Sequence, residues 1–181
     1  EEQETYGRLA AGQSPLALFI TCSDSRVVPS LITGARPGEL FELRTAGNAV
    51  PVYQDDMAAC AEAATIEYAM RVLRVADIVV CGHSHCGAVG AKIRGEDLTG
   101  APAVRDWLAQ QISDELPKDD EPTVSAAVQQ HVREQLNRLR GYPCVQERLA
   151  AGEVNLHGWF YEVHTGLVAA HHPASDLFLP L

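Results

Sequence analysis

The chain has 181 residues, with 24 acidic against 14 basic side chains for a formal charge of −10, and 46% apolar and 21% charged content. That length and balance suit one globular domain with a substantial core, and the acidic surface weighs against nucleic acid or an anionic membrane as the main partner. No apolar run approaches the ~18 residues of a membrane span, no signal peptide is evident, and five cysteines without small-domain spacing suggest a reducing, cytoplasmic setting rather than a disulfide framework.

Taken in chain order, LALFIT (16–21) predicts a first strand, which runs into TCSDSR. ELFELR (39–44) predicts a second. DDMAACAEAATIEYAMRVLR (55–74) predicts a helix, with acids at its start, arginines at its end and a Glu67/Arg71 pair one turn apart. ADIVVCG (76–82) predicts a third strand, leading into GHSHCG. The first and third strands are short, continuously apolar and partly β-branched, as in strands covered on both faces. APAVRDWLAQQI (101–112) predicts a helix with Val104, Trp107 and Leu108 on one face, and DELPKDDEP (114–122) a solvated charged loop. EPTVSAAVQQHVREQLNRLRG (121–141) predicts a helix with Pro122 near its start, Gly141 past its end and an apolar stripe at Val124, Val128, Val132, Leu136 and Leu139. NLHGWFYEV (155–163) predicts another strand, and LVAAHH (167–172) a weak one.

Strands alternating with helices predict an α/β fold, a mostly parallel central sheet flanked by helices, formed as a single domain over 1–181. In such sheets ligands collect beyond the carboxyl ends of the strands. Two clusters able to bind metal, TCSDSR and GHSHCG, leave two predicted strands at that end. Zinc favours thiolate and imidazole, and a catalytic site commonly uses three protein ligands and leaves one position open. Cys86, with either His83 or His85, supplies two candidates, and Cys22 is the natural third. No second close pair near Cys22 completes a closed structural site. Cys60, Cys81 and Cys144 read as packing residues, and His131, His157, His164, His171 and His172 as surface or satisfied histidines. Asp24 and Arg26 share one side of the chain with Cys22 if the backbone stays extended there. A carboxylate fixed by arginine beside an open metal position suits hydration or hydrolysis.

These residues resemble the β-class carbonic anhydrases, in the plant-like branch. The matching pieces are CSDSR (22–26), PGELFELRTAGNAVP (37–51), IEYA (66–69), GHSHCG (82–87) and LHGWFYEVHTG (156–166), in family order. The resemblance implies a Zn2+ enzyme, one ion per subunit, that interconverts CO2 and bicarbonate through a zinc-hydroxide nucleophile. Its ligands would be Cys22, His83 and Cys86, which favours His83 over His85, and its orienting dyad Asp24 and Arg26. It further implies substrate contacts from Gln13, Phe41 and Tyr68, some across a dimer interface, and from the backbone amide of Gly47. A homodimer or higher even oligomer follows from the same resemblance. Phe19 stands where one branch has a tryptophan in a bicarbonate-regulatory pocket, which weighs against that regulation here. The start at Glu-Glu-Gln and the short stretch before Cys22 suit a truncated arm, or continuation from an upstream unit such as a membrane transporter. Two alternatives stand beside this reading. One is hydrolysis of carbon disulfide or carbonyl sulfide on the same fold. The other is a catalytically silent bicarbonate-sensing module attached to a transporter.

Overall fold

The two apolar runs that end in Cys22 and His83 lie side by side near the middle of one sheet. The computed structural model describes residues 6–7, 9–55, 60–118, 121 and 123–181. Its strands are β1 (Ala17–Cys22), β2 (Leu40–Thr45), β3 (Asp77–His83), β4 (Asn155–Tyr161), β5 (Val168–His172) and β6 (Leu177–Pro180). They pair in the order β2-β1-β3-β4-β5-β6. The pairs from β2 through β4 are parallel, whereas β4–β5 and β5–β6 are antiparallel. β1 and β3 run in register from Ala17 opposite Asp77 to Thr21 opposite Cys81. Their carboxyl ends therefore open at the same edge, as the sequence predicts.

Strand periodicity divides the core between the two faces. Leu18, Ile20, Ile78 and Val80 face the larger cluster, while Phe19, Val79 and Cys81 form a smaller one with Leu40, Trp159 and Tyr161. Each fully buried Leu or Ile contributes about 1.5–3 kcal/mol of transfer free energy. The helices are α1 (Pro29–Thr33), α2 (Ala61–Glu67), α3 (Gly87–Arg94), α4 (Pro102–Gln111), α5 (Ser125–Leu139) and α6 (Pro143–Ala150). Helix α5 buries the predicted stripe of Val128, Val132, Leu136 and Leu139. It lies so close to the sheet that a Cβ on Gly82 would meet Val128 Cγ1 at 2.5 Å and Val132 Cγ2 at 2.8 Å. A glycine one residue before His83 thus brings the polar edge of α5 within reach of the site.

Some local expectations change. The predicted helix over 55–74 is regular only from Ala61 to Glu67 and then widens into a π-type turn, Tyr68–Leu73, that stops at Arg74 with φ +53. Residues 56–59 and Pro122 lie outside the described residues. The Glu67–Arg71 pair does form, at 3.2 Å, and Arg71 also meets Glu147 at 2.9 Å. On α4, Leu108 is buried and Trp107 half-buried, but Val104 is 43% exposed. The charged loop is not wholly solvated. Leu116 is 4% exposed, and Asp114 holds Lys92 of α3 at 2.7 Å. Among the described residues no helix is long and apolar enough to cross a membrane.

Candidate metal centre

Parallel pairing delivers Cys22 from the end of β1 and His83 from the end of β3, and Cys86 stands just before α3. The two sulfurs and a ring nitrogen of His83 all lie within 4.8 Å of one another, and all three residues are buried. His83 Nδ1 lies 2.9 Å from the Ser84 carbonyl, which only accepts, so Nδ1 holds the proton and Nε2 presents a lone pair. That Nε2 is buried and has no hydrogen-bond partner. A buried polar atom without a partner is costly unless a metal or water takes it. The sulfurs behave as a pair. Cys22 is pulled down to about 4, chiefly by the hydrogen bond from Cys86, with the amides of Gly47 and Asp24 adding to it against burial. Cys86 is pushed up by that same bond and by burial. One proton is shared where a dication would replace it. The donor set and its spacing fit Zn2+ with an open fourth position. His85 stands apart, in a turn at φ +57, where its carbonyl accepts from Arg26 Nη2 at 3.0 Å.

Asp24 and Arg26 come together differently from the extended arrangement expected. The strand ends at Cys22, and the chain turns so that the Arg26 N–H donates to Asp24 Oδ1 at 3.0 Å. The turn is an aspartate-centred one, in which the short carboxylate captures the amide two residues on. It also folds the guanidinium back onto the same carboxylate, Nε to Oδ1 at 2.9 Å and Nη2 to Oδ2 at 2.7 Å. Arg26 beside it holds the Asp24 carboxyl down at about 2. Asp24 Oδ2 lies 3.9 Å from His83 Nε2, so the clamped carboxylate faces the centre.

Residues not singled out from sequence hold this segment in place. Arg44 of β2 donates to the carbonyls of Cys22 (2.9 Å), Asp24 (2.9 Å) and Val27 (2.8 Å). Its alternating position in ELFELR gave no sign of that task. Helix α5 and Tyr142, immediately before α6, grip the loop 46–51. Gln135 Oε1 accepts from the Val50 N–H at 2.8 Å, Arg138 donates to the Val50 carbonyl at 2.8 Å, and Tyr142 to that of Pro51 at 2.9 Å. His131, read from sequence among surface or satisfied histidines, is the buried, satisfied kind.

Burial holds His131 down to about 4, against 6.5 for a solvated imidazole. The bond to the Gly47 carbonyl and the Cys22 charge pull it up, and Arg138 adds to the fall. Below pH 6.5 the unfolded chain takes up a proton that the folded chain refuses until pH falls to about 4. Stability therefore drops as pH falls through that window, by on the order of 3 kcal/mol for the whole shift. Urea unfolding of His131→Gln is expected to show a flatter dependence across the same range. Parallel curves for variant and wild type would count against a neutral buried imidazole.

Of the remaining predicted site residues, Phe41 and Tyr68 stack on each other at 5.8 Å, with Tyr68 exposed. Gln13 is exposed on the segment before β1. The Gly47 N–H points at Cys22 Sγ, 3.4 Å away.

Comparison with known proteins converges on one family. The family profile described as carbonic anhydrase matches residues 17–168. A carbonic anhydrase of Pseudomonas aeruginosa is 45% identical over 98% of this chain and 83% of its own length. Carbonic anhydrase 1 of Escherichia coli is 42% identical over 100% of this chain and 84% of its own. Among solved structures, the β-carbonic anhydrase CcaA superposes with a TM-score of 0.89 at 38% identity, covering 99% of this chain and 90% of that one. A pair of tetrameric β-carbonic anhydrases from Sordaria macrospora is represented by a chain with a TM-score of 0.77 at 29% identity, covering 93% and 86%.

Proposed function

Because the chain belongs to the β-carbonic anhydrase family and is a carbonic anhydrase, we propose that it hydrates CO2 reversibly to bicarbonate and a proton at Cys22, His83 and Cys86, with Asp24 and Arg26 orienting the attack. The observation that carries this is the unpartnered His83 Nε2, grouped with two thiols and faced at 3.9 Å by a carboxylate that arginine holds ionised. Cys22 and Cys86 as thiolates and His83 through Nε2 would hold one Zn2+ per subunit. Bound there, the ion supplies Lewis acidity that makes water a nucleophile near neutral pH. Asp24 Oδ2 accepts the hydrogen bond of the attacking water and turns its lone pair toward the CO2 carbon. Arg26 prevents that carboxylate from rotating, through two bonds at 2.7 and 2.9 Å. The Gln13 amide donates to a CO2 oxygen, and the stacked Phe41 and Tyr68 give the apolar wall that a linear, uncharged substrate favours. The Gly47 N–H is engaged by Cys22 Sγ at 3.4 Å, so in this reading it serves the sulfur rather than the substrate. Some of these contacts would come from a second copy of the chain, in a homodimer or higher even oligomer, and the tetrameric fungal relatives support that assembly. The released proton passes to buffer.

The test is stopped-flow CO2 hydration with zinc measured in the same sample. Saturable hydration above the buffer rate is expected, lost on chelation and restored by Zn2+. A chain holding one zinc that gives only the buffer rate would overturn the proposal.

A further inference from the structure

Gly47 sits between two peptide units, and each is held from behind by a side chain remote in sequence. The carbonyl of the Ala46–Gly47 unit accepts from the Trp107 indole N–H at 2.9 Å, while the N–H of that same unit donates to Cys22 Sγ at 3.4 Å. The carbonyl of the Gly47–Asn48 unit lies 2.8 Å from His131 Nε2. A carbonyl only accepts, so Nε2 carries the imidazole proton and Nδ1 is bare. Gln135 confirms that tautomer. Its Oε1 is engaged by the Val50 N–H, so its amide nitrogen faces His131 Nδ1 at 3.2 Å and donates.

The loop also holds itself locally, as a single 3-10 turn over Ala46–Asn48 with the Thr45 hydroxyl donating to the Ala49 carbonyl at 3.0 Å, and the two remote donors act on top of that. Gly47 is at φ +76, and an added Cβ would press on Ala88 Cβ and Ile112 Cδ1 at 3.2 Å each. Asn48 beside it is at φ +48, with both side-chain polar atoms buried and unpartnered. Gly47 takes a positive φ without cost, but Asn48 beside it adopts a conformation uncommon for a residue with a side chain, which persists where surrounding groups fix it. Packing alone does not require a histidine at this fully buried position, because an aliphatic side chain would fill it without the cost of burying an imidazole. The indole bond has a second effect. A donor on one side of a peptide polarises it and strengthens the bond its N–H makes on the other side.

We infer that Trp107 and His131 are positioning residues of the metal centre. By fixing the peptides on either side of Gly47 they keep its N–H on the Cys22 sulfur, and so set how strongly that sulfur donates to a bound ion. An N–H on a coordinating sulfur directs its lone pairs and lowers their energy, as groups behind a metal ligand commonly do. The inference rests on Cys22, His83 and Cys86 holding a metal.

The experiment loads the wild-type chain and the variants Trp107→Phe, His131→Leu and His131→Gln with Co2+. Its readouts are affinity, by chelator competition, and the wavelength of the sulfur-to-cobalt absorption band. Trp107→Phe and His131→Leu are expected to bind about 10-fold more weakly, with the band moved to longer wavelength. His131→Gln, whose amide can donate to the same carbonyl, is expected to restore both. Folded variants with the wild-type band overturn the inference, even if their thermal stability has dropped. Should His131→Leu fail to fold, the half-buried Trp107 site decides the matter through Trp107→Phe. A wild-type chain that takes up no Co2+ removes the metal reading itself, a failure distinct from loading with an unshifted band.

Discussion

Cys86→Ser is expected to yield a folded chain that retains almost no zinc and hydrates CO2 at the buffer rate. The residue stands immediately before α3, with its carbonyl taking the Gly90 N–H at 2.9 Å and its side chain 1% exposed. A hydroxyl fits there and can still donate to the Cys22 thiolate, so the fold survives. The hydroxyl is nevertheless a poor replacement for thiolate, because it does not ionise near neutral pH. Zinc held by peptides through a full ligand set is stabilised by roughly 10–16 kcal/mol. Spread over three protein ligands, that is about 4 kcal/mol for one sulfur, or a loss of about 10³ in affinity. Metal analysis, circular dichroism and stopped-flow on one preparation check it. Full zinc occupancy in the serine variant would remove Cys86 from the ligand set.

Much of this centre was legible because its parts are local and lie at the ends of strands that announce themselves. LALFIT and ADIVV are apolar runs too short for helices, and strands covered on both faces have nowhere to sit but the middle of a parallel sheet. Once β1 and β3 are neighbours, Cys22 and His83 must emerge together, and no longer-range information is needed. The Asp24–Arg26 contact was legible as a pair but not in its geometry. An extended chain and an aspartate-centred turn use the same five residues, and the difference lies in one amide that Asp24 captures at 3.0 Å. Strand β6 escaped notice because LFLP is short, ends in proline and gains its partner only when β5 folds back beside it. Helix α3 begins with glycine and carries another at Gly90, which lowers its intrinsic propensity. It forms in a tertiary setting that buries Val89 and Ala91. The grip on loop 46–51 was the least readable part. Trp107 meets Ala46 across 61 residues and His131 meets Gly47 across 84. A tryptophan or histidine on an amphipathic helix carries no mark of which distant carbonyl it will hold.

Asp24→Ala separates catalysis from mere metal binding. Asp24 is absent from the group of mutually close ligand atoms, and both of its oxygens are engaged by Arg26. The substitution is therefore expected to leave zinc occupancy at the wild-type level. What it removes is an acceptor held in a single rotamer, close enough to His83 to reach a water at the open metal position. Losing an oriented, pre-organised group of this kind costs about 10²–10³ in rate. The fall should appear in kcat as well as kcat/KM, because the carboxylate acts on the attacking water rather than on CO2 binding. Arg26→Ala should follow the same direction with a smaller loss, since the Arg44 contacts to the Cys22 and Asp24 carbonyls still hold the segment while the carboxylate becomes free to rotate. The silent-module reading predicts the opposite pattern, with wild type and Asp24→Ala equally slow while both carry zinc. A bicarbonate sensor has no reaction to orient, so a carboxylate clamped 3.9 Å from His83 Nε2 would bring it only repulsion toward its anionic ligand. The arginine clamp makes sense where a proton must be drawn from a nucleophile, and the Asp24→Ala rate decides whether that is its use.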